Sequence, residues 1–353
     1  MLRKDKKKFF DACKRNDLQV VKDFVASGFN IHVQSNKGLH KACQFGHIDI
    51  VKFLVKSGAN IQDIWHYAVR IAAIKGHIEV VKFLKENGAD ITACNNEALI
   101  QACLNGYMEL VVYLVTHGAD VLADNHKPLC ASVSKGHLQI VKFLIENGAE
   151  VTALINQPLI IACFHGYYEI ATYLIEKGAD VTVRESKPLG LAVLKGCVPL
   201  VTLLIEKGCD VRCAENYCVI TASFHGFLEI VKILVNHGAE VQARDNYALE
   251  AACMKGHLEV VKYLLANGAT IIFGCIEHLI YFSYFHIIDY FLDSRIDTSN
   301  FTLKQKQFFE ARQRKRINAA NIIAKWWIPK CYDLKRDCGK RMAEKSWNSY
   351  CHL

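Results

Sequence analysis

The chain has 353 residues, of which 52% are hydrophobic and 22% are charged, which is the composition of a folded protein. Only 5 prolines occur, which excludes a long proline-rich linker and leaves most of the chain free to form helices. The net charge of +8 comes from the ends, since residues 301–353 hold 13 Lys/Arg against 4 Asp/Glu and residues 1–10 are also basic.

The basic N-terminal segment 1–8 places charges where a secretory signal requires an apolar core. The longest apolar stretch, 270–292, is a poor membrane span because polar residues interrupt it: Glu277, His278, His286 and Asp289. The 15 cysteines are odd in number and follow no signal peptide, so a disulfide framework is not expected. We therefore expect a soluble, intracellular protein that is not secreted and has no membrane span.

Two series of glycines dominate the middle of the chain, and each recurs every 30 residues without insertion or deletion. One series runs from Gly46 to Gly256 and the other from Gly28 to Gly268. Apolar residues recur at helical spacing before each glycine, which is expected to end the helix as a left-handed cap. The pattern predicts tandem pairs of helices that are too short to persist without their neighbours.

Polar residues mark the start of each first helix of a pair. They are expected to act as N-caps: Asn36, Asn96, Asn156, Ser186, Asn216 and Asn246. Several cysteines directly follow an alanine at one equivalent place in the repeat, and they are expected to be small, buried and reduced: Cys13, Cys43, Cys103, Cys163 and Cys253.

Segments such as GHIDIVKFLVKSGAN (46–60) and GHLEVVKYLLANGAT (256–270) resemble the core motif of ankyrin repeats. The resemblance covers residues 9–297 and implies an all-α, ankyrin-like helical repeat solenoid of about ten units with degenerate ends. The 30-residue period is shorter than the usual period of about 33 residues. Because the missing residues fall in the hairpin between units, the hairpin fingers are predicted to be short or absent.

The compact repeat and the C-terminal segment also resemble ankyrin repeat proteins of giant DNA viruses of the mimivirus type. That resemblance implies a viral protein acting inside the host cell, in the cytoplasm rather than the nucleus. It implies no particular biochemical activity.

Solenoids of this kind bind along their concave face, where successive units present equivalent positions. In this chain the candidate positions lie near the ends of the first helices. The residues predicted to contact a protein partner are Ile161, Phe164, His165, Leu191, Leu194, Lys195, Phe224 and His225. The alternative is that the apolar members of this set pack between neighbouring first helices as part of the core.

Histidines follow a glycine once per unit, at positions 47, 77, 137 and 257. Side chains on adjacent packed helices lie about 10 Å apart, too far for one metal ion, so we predict that these histidines make capping hydrogen bonds. The sequence contains no Gly-rich phosphate loop, HExxH or GxSxG motif. We expect no catalytic activity, no metal, no cofactor and no small-molecule substrate.

The C-terminal tail, 298–353, breaks the 30-residue period, and its residues 304–327 are predicted to form a basic helix with apolar anchors. Three interpretations remain open: the tail caps the last repeat, recruits a protein, or binds nucleic acid or an anionic surface. The candidate contact residues in the tail are Arg312, Arg314, Lys315, Arg316, Trp326 and Trp327.

The sequence therefore predicts three parts: the basic segment 1–8, the repeat array 9–297 and the tail 298–353. The leading functional hypothesis is a scaffold or adaptor that binds a host or viral protein through the concave face of the repeat stack. The alternative is binding of nucleic acid or an anionic surface through the basic tail.

Overall fold

The computed structural model describes residues 2–62, 66–293, 306–307, 310–315 and 318. The predicted all-α fold class is confirmed, because the regular elements in these ranges are helices and none is a strand. The helices are α1 (Leu2–Arg15), α2 (Leu18–Ala26), α3 (Val33–Phe45), α4 (Ile48–Lys56), α5 (Tyr67–Ile74), α6 (Ile78–Glu86), α7 (Ala93–Asn105), α8 (Met108–Thr116), α9 (Ala123–Ser134), α10 (Leu138–Glu146), α11 (Ala153–His165), α12 (Tyr168–Glu176), α13 (Val183–Lys195), α14 (Val198–Glu206), α15 (Cys213–His225), α16 (Leu228–Asn236), α17 (Ala243–Lys255), α18 (Leu258–Ala266), α19 (Phe273–Tyr281) and α20 (Phe285–Asp293).

Helices alternate as the first and second members of successive repeats, with odd numbers for the first. First helices pack against the next first helix, as α7 does on α9 and α9 on α11. The chain divides into two compact units, one ending at Cys218 and the next beginning at Val219 within α15. Helix α1 begins at Leu2, so the predicted boundary between residues 8 and 9 lies inside this helix.

The glycines of the first series end the first helices in the left-handed conformation, as predicted. Gly46 ends α3 with a φ of 74°. A Cβ atom there would lie 2.6 Å from Nδ1 of His77, so both the backbone and the approaching imidazole require glycine. Asn16 stands at the equivalent place in the first repeat and also has a positive φ, of 65°. Asparagine is one of the few other residues that adopts this conformation readily.

The prediction of short or absent hairpin fingers is confirmed in the described repeats. In most of them three consecutive residues adopt the left-handed conformation before the right-handed first helix starts. In α7 these are Cys94, Asn95 and Asn96, with φ between 55° and 60°. This single tight turn replaces the longer finger of a 33-residue repeat.

The asparagines predicted as N-caps have a different partner in the structure. Asn96 is buried, and its Oδ1 accepts a hydrogen bond of 3.0 Å from the backbone N–H of Asp120. Asn156 does the same with Asp180 at 2.8 Å, and Asn246 with Thr270 at 2.7 Å. The asparagine therefore joins the start of a repeat to the loop that ends it.

Within each compact unit, the core consists of columns of equivalent side chains from successive repeats. Leucines of the second helices are almost fully buried: Leu54, Leu84, Leu114, Leu144, Leu174, Leu204, Leu234 and Leu264. The cysteines predicted to be buried and reduced are inaccessible free thiols. The apolar surface that these helices bury supplies the stability that nine-residue helices lack alone.

Candidate protein-binding surface

Two neighbouring first helices, α11 and α13, present apolar side chains at equivalent positions near their C-terminal ends. Phe164 is 49% exposed and Leu194 is 44% exposed. One turn earlier, Ile161 and Leu191 are half-buried. Phe164 and Leu194 are therefore not packed into the core between neighbouring first helices, because their side chains face solvent.

Basic and imidazole groups flank this apolar row. The ammonium group of Lys195 lies 5.7 Å from the centroid of the Phe164 ring. The exposed ring of His165 packs edge-on against Phe164, with centroids 5.1 Å apart, and stacks on Tyr167 at 5.3 Å. A cation over an aromatic face is attracted by the ring quadrupole and holds the ring in one orientation.

The left-handed turn before α11 adds two apolar residues that the sequence analysis missed. Leu154 is 49% exposed and Ile155 is 59% exposed. Ile155 has a φ of 61°, which is a rare conformation for a β-branched residue. In six other repeats the equivalent pair contains a polar residue, and this difference was visible in the repeat alignment: Gln34-Ser35, Cys94-Asn95, Asp124-Asn125, Arg184-Glu185, Ala214-Glu215 and Arg244-Asp245. The pair Ile64-Trp65 is apolar as well.

The second compact unit contains its own version of the site. Phe224, near the end of α15, is half-buried, and the ammonium group of Lys255 lies 4.5 Å from its ring centroid. His225 is exposed and stacks on Phe227 with centroids 5.5 Å apart. The lysine covers more of the aromatic face here than at Phe164, which leaves less apolar surface open.

The histidines that follow the glycines bond to the preceding repeat. Nε2 of His77 donates to the carbonyl oxygen of Gln44 at 3.1 Å, and that of His137 donates to Leu104 at 3.3 Å. His257 makes the same bond to Phe224 at 3.1 Å. These carbonyls belong to the last turn of a first helix, where no backbone N–H of the same helix is available to bond to them. The hydrogen bonds predicted for these side chains are present, but they cap the first helix of the preceding repeat and not the second helix that each histidine precedes.

Comparison with protein-family models gives matches to ankyrin repeats, described as a model of three repeat copies. The matches cover residues 9–95, 71–155, 99–185, 153–215 and 189–273, which together are well over half of the chain. The chain belongs to the ankyrin repeat family. The search of curated proteins found no match.

Ankyrin repeats are in general modules of protein–protein interaction and typically have no enzymatic activity. Burial raises the pKa of Cys13 to about 12 and the pKa of Cys130 to about 11, whereas a hydrogen bond with Cys218 lowers the pKa of Cys213. Thiols that stay protonated are poor nucleophiles and poor metal ligands. Over the described ranges there is no group of three His, Cys, Asp or Glu side chains that could hold a metal ion.

The described part of the tail contacts the last helix of the repeats. The guanidinium group of Arg312 donates to both carboxylate oxygens of Asp289, at 3.3 Å each, and lies 4.3 Å from the Phe285 ring centroid. Arg314 and Lys315 are exposed. Three candidate residues lie outside the described residues: Arg316, Trp326 and Trp327. Among the described helices none has the length and apolar character that crossing a bilayer requires.

Proposed function

We propose that this ankyrin repeat protein is a scaffold or adaptor that binds a protein partner through the first-helix face of its repeats, the concave face of an ankyrin stack. The proposed contact residues are Ile161, Phe164, His165, Leu191, Leu194 and Lys195, together with Phe224 and His225 in the second unit. Leu154 and Ile155 extend the set to the other end of α11.

The observation that carries the proposal is the exposure of large apolar side chains on neighbouring first helices. Phe164, Leu194, Leu154 and Ile155 are each more than 40% exposed. Single exposed apolar residues need no explanation, whereas a group of them is typical of interaction sites.

The rim of the site suits recognition as well as affinity. Lys195 and His165 border the apolar row, and charged groups at the edge of an interface guide association and discriminate between partners. The resemblance to ankyrin repeat proteins of giant DNA viruses supports a role in the cytoplasm of an infected host cell, with a host or viral protein as the partner.

A pair of double variants of the full chain tests the proposal. Phe164→Ser with Leu194→Ser removes the apolar row, and Tyr168→Ser with Val198→Ser removes exposed apolar residues from the second helices α12 and α14. A partner is captured from nuclease-treated host lysate with the unmodified chain and purified. Its dissociation constant is then measured for each protein by calorimetry.

We expect the first-helix variant to bind about 100-fold more weakly, since central apolar contacts carry most of the energy of an interface. The second-helix variant should bind as the unmodified chain does. Equal affinity for all three proteins would refute the proposed surface. A melting temperature lowered only in the first-helix variant would show that Phe164 and Leu194 belong to the core instead.

A further inference from the structure

A cleft of about 370 Å³ lies between α1 and α3, at the opposite end of the first compact unit from the proposed protein-binding row. Five lysines line it: Lys6, Lys7, Lys14, Lys37 and Lys41. The helical spacing of α1 places Lys7 and Lys14 on the side that faces α3, and α3 contributes Lys37 and Lys41 one turn apart. The volume is near the lower end of the range for small-molecule sites.

The positive charge of this cleft is not neutralised. Its only acidic lining residue is Asp11. In the part of the chain that the structure describes, none of the five ammonium groups forms an ion pair, whereas lysines of the second helices pair with the glutamate three residues earlier. Lys82 and Glu79, for example, lie 2.8 Å apart. Like charges held this close repel each other, so an anion that enters the cleft is attracted by all of them.

Neutral groups hold two of the lysines in place. Nζ of Lys37 donates to Oε1 of Gln34 at 3.0 Å and lies 5.2 Å from the ring centroid of Phe10, which lines the cleft. Nζ of Lys41 donates to Oε1 of Gln44 at 2.8 Å. Each ammonium group carries three donors, so donors remain for a ligand.

The combination of these five lysines is found only at this end of the array. The position of Lys41 is occupied in later repeats by uncharged residues: Ile71, Gln101, Ala131, Ile161, Leu191, Thr221 and Ala251. The position of Lys37 is lysine again at Lys127 and at Lys187, and the ammonium group of Lys127 pairs with Asp124 at 2.8 Å. The repeat fold therefore does not require this cluster of charges.

We propose that the cleft binds a compact ligand with several clustered phosphate groups, either a free small molecule or the headgroup of a phosphorylated lipid. Lysine ammonium groups are point charges that bind phosphate oxygens from any direction, and several of them together match the charge of adjacent phosphates. The small volume of the cleft favours a compact ligand over a nucleic-acid duplex.

Calorimetric titration of the full chain with inorganic tripolyphosphate tests this assignment. The cleft variant carries Lys7→Gln, Lys37→Gln and Lys41→Gln, and the matched control carries Lys75→Gln, Lys135→Gln and Lys207→Gln, which remove the same charge from exposed sites elsewhere. A second cleft variant, Lys7→Gln with Lys37→Gln, changes only exposed side chains. It keeps the test valid if loss of the half-buried Lys41 impairs folding.

We expect the triple cleft variant to bind tripolyphosphate roughly tenfold to hundredfold more weakly, and the matched control to bind almost as the unmodified chain does. Flotation with phosphatidylcholine vesicles, with and without about 5% of a phosphatidylinositol bisphosphate whose anionic headgroup attracts clustered lysines, distinguishes the two sources. Lysine-dependent flotation identifies a lipid headgroup, and tripolyphosphate binding without flotation identifies a free ligand.

Equal weakening of the cleft variant and the control, no binding of tripolyphosphate, or tighter binding of a single-stranded oligonucleotide would overturn the proposal.

Discussion

Helices α7 and α11 have the same turn geometry and share most of their buried positions but expose different chemistry. Leu99 and Leu159 are equivalent and fully buried, and both helices begin with three left-handed residues. At the exposed positions, α7 has Cys94-Asn95, whereas α11 has Leu154-Ile155. The comparison shows that the buried columns and turn asparagines set the fold, while the exposed columns can diverge and carry the specificity of binding.

The largest expected effect concerns the residues that the two helices share. Leu99→Ala and Leu159→Ala each remove a fully buried side chain and should each lower the free energy of unfolding by about 3 kcal/mol. Both variants are unfolded with a chemical denaturant, and the loss of helix is monitored by circular dichroism. If the free energy of unfolding falls less than about half as far in one variant as in the other, the two repeats are not equivalent in their cores.

Exchange of the exposed turn residues should produce a smaller effect of opposite sign in the two helices. Ile155→Asn should raise the free energy of unfolding by about 1 kcal/mol, because asparagine tolerates the left-handed conformation and isoleucine does not. Asn95→Ile should lower it by a similar amount. Thermal unfolding measures both. If Ile155→Asn stabilises the chain and also weakens partner binding, strain is retained there for function; destabilisation by this change would contradict the strain argument.

The smallest expected effect depends on pH and concerns the loops that precede the two helices. Before α7, the backbone N–H and the hydroxyl of Thr92 donate to Oδ1 of Asp90 at 2.8 and 2.7 Å, and these bonds lower the pKa of Asp90. Because the folded pKa is below the unfolded one, the stabilisation is present above the unfolded pKa and is lost as the pH falls through the folded pKa. Before α11 the equivalent residue is Glu150, whose Oε2 lies 3.8 Å from Nε2 of His126.

We therefore expect Asp90→Ala to lower the free energy of unfolding at pH 7 by no more than about 0.5 kcal/mol, since Asp90 is exposed and screened by solvent. The difference from the unmodified chain should decrease as the pH falls through the unfolded and then the folded pKa of Asp90, and it should vanish below both. Urea denaturation at a series of pH values measures it. A difference that persists at the acid end of the series would mean that Asp90 acts through packing and not through its charge.

Local signals in the sequence predict much of this fold. The glycines identify the ends of the first helices because a left-handed cap depends on one residue and its immediate neighbours. The partner of Asn96 could not be predicted in this way, since Asp120 is 24 residues distant and only the folded repeat brings the two together. The shortened period indicated that the fingers are reduced, but not that the remaining turn consists of left-handed residues.

The candidate site was predictable in its position and not in its exposure. Helical spacing places Phe164 and Leu194 at equivalent positions, but whether such a residue is buried depends on how closely the next first helix packs. Leu154 and Ile155 were missed because an apolar pair in a turn looks ordinary until the other turns are compared with it. In the tail, the contact of Arg312 with Asp289 depends on tertiary structure that no local pattern encodes.

The hydrogen bond from Asp180 to Asn156 begins and ends inside one repeat. A duplicated 30-residue segment therefore carries its own closing bond with it. The histidine bonds between repeats use a backbone carbonyl as acceptor, so a new neighbour of any sequence can provide it. A gene that encodes repeats of this kind can gain or lose whole repeats by recombination without interrupting either kind of bond. Each new copy is then free to acquire a different exposed surface.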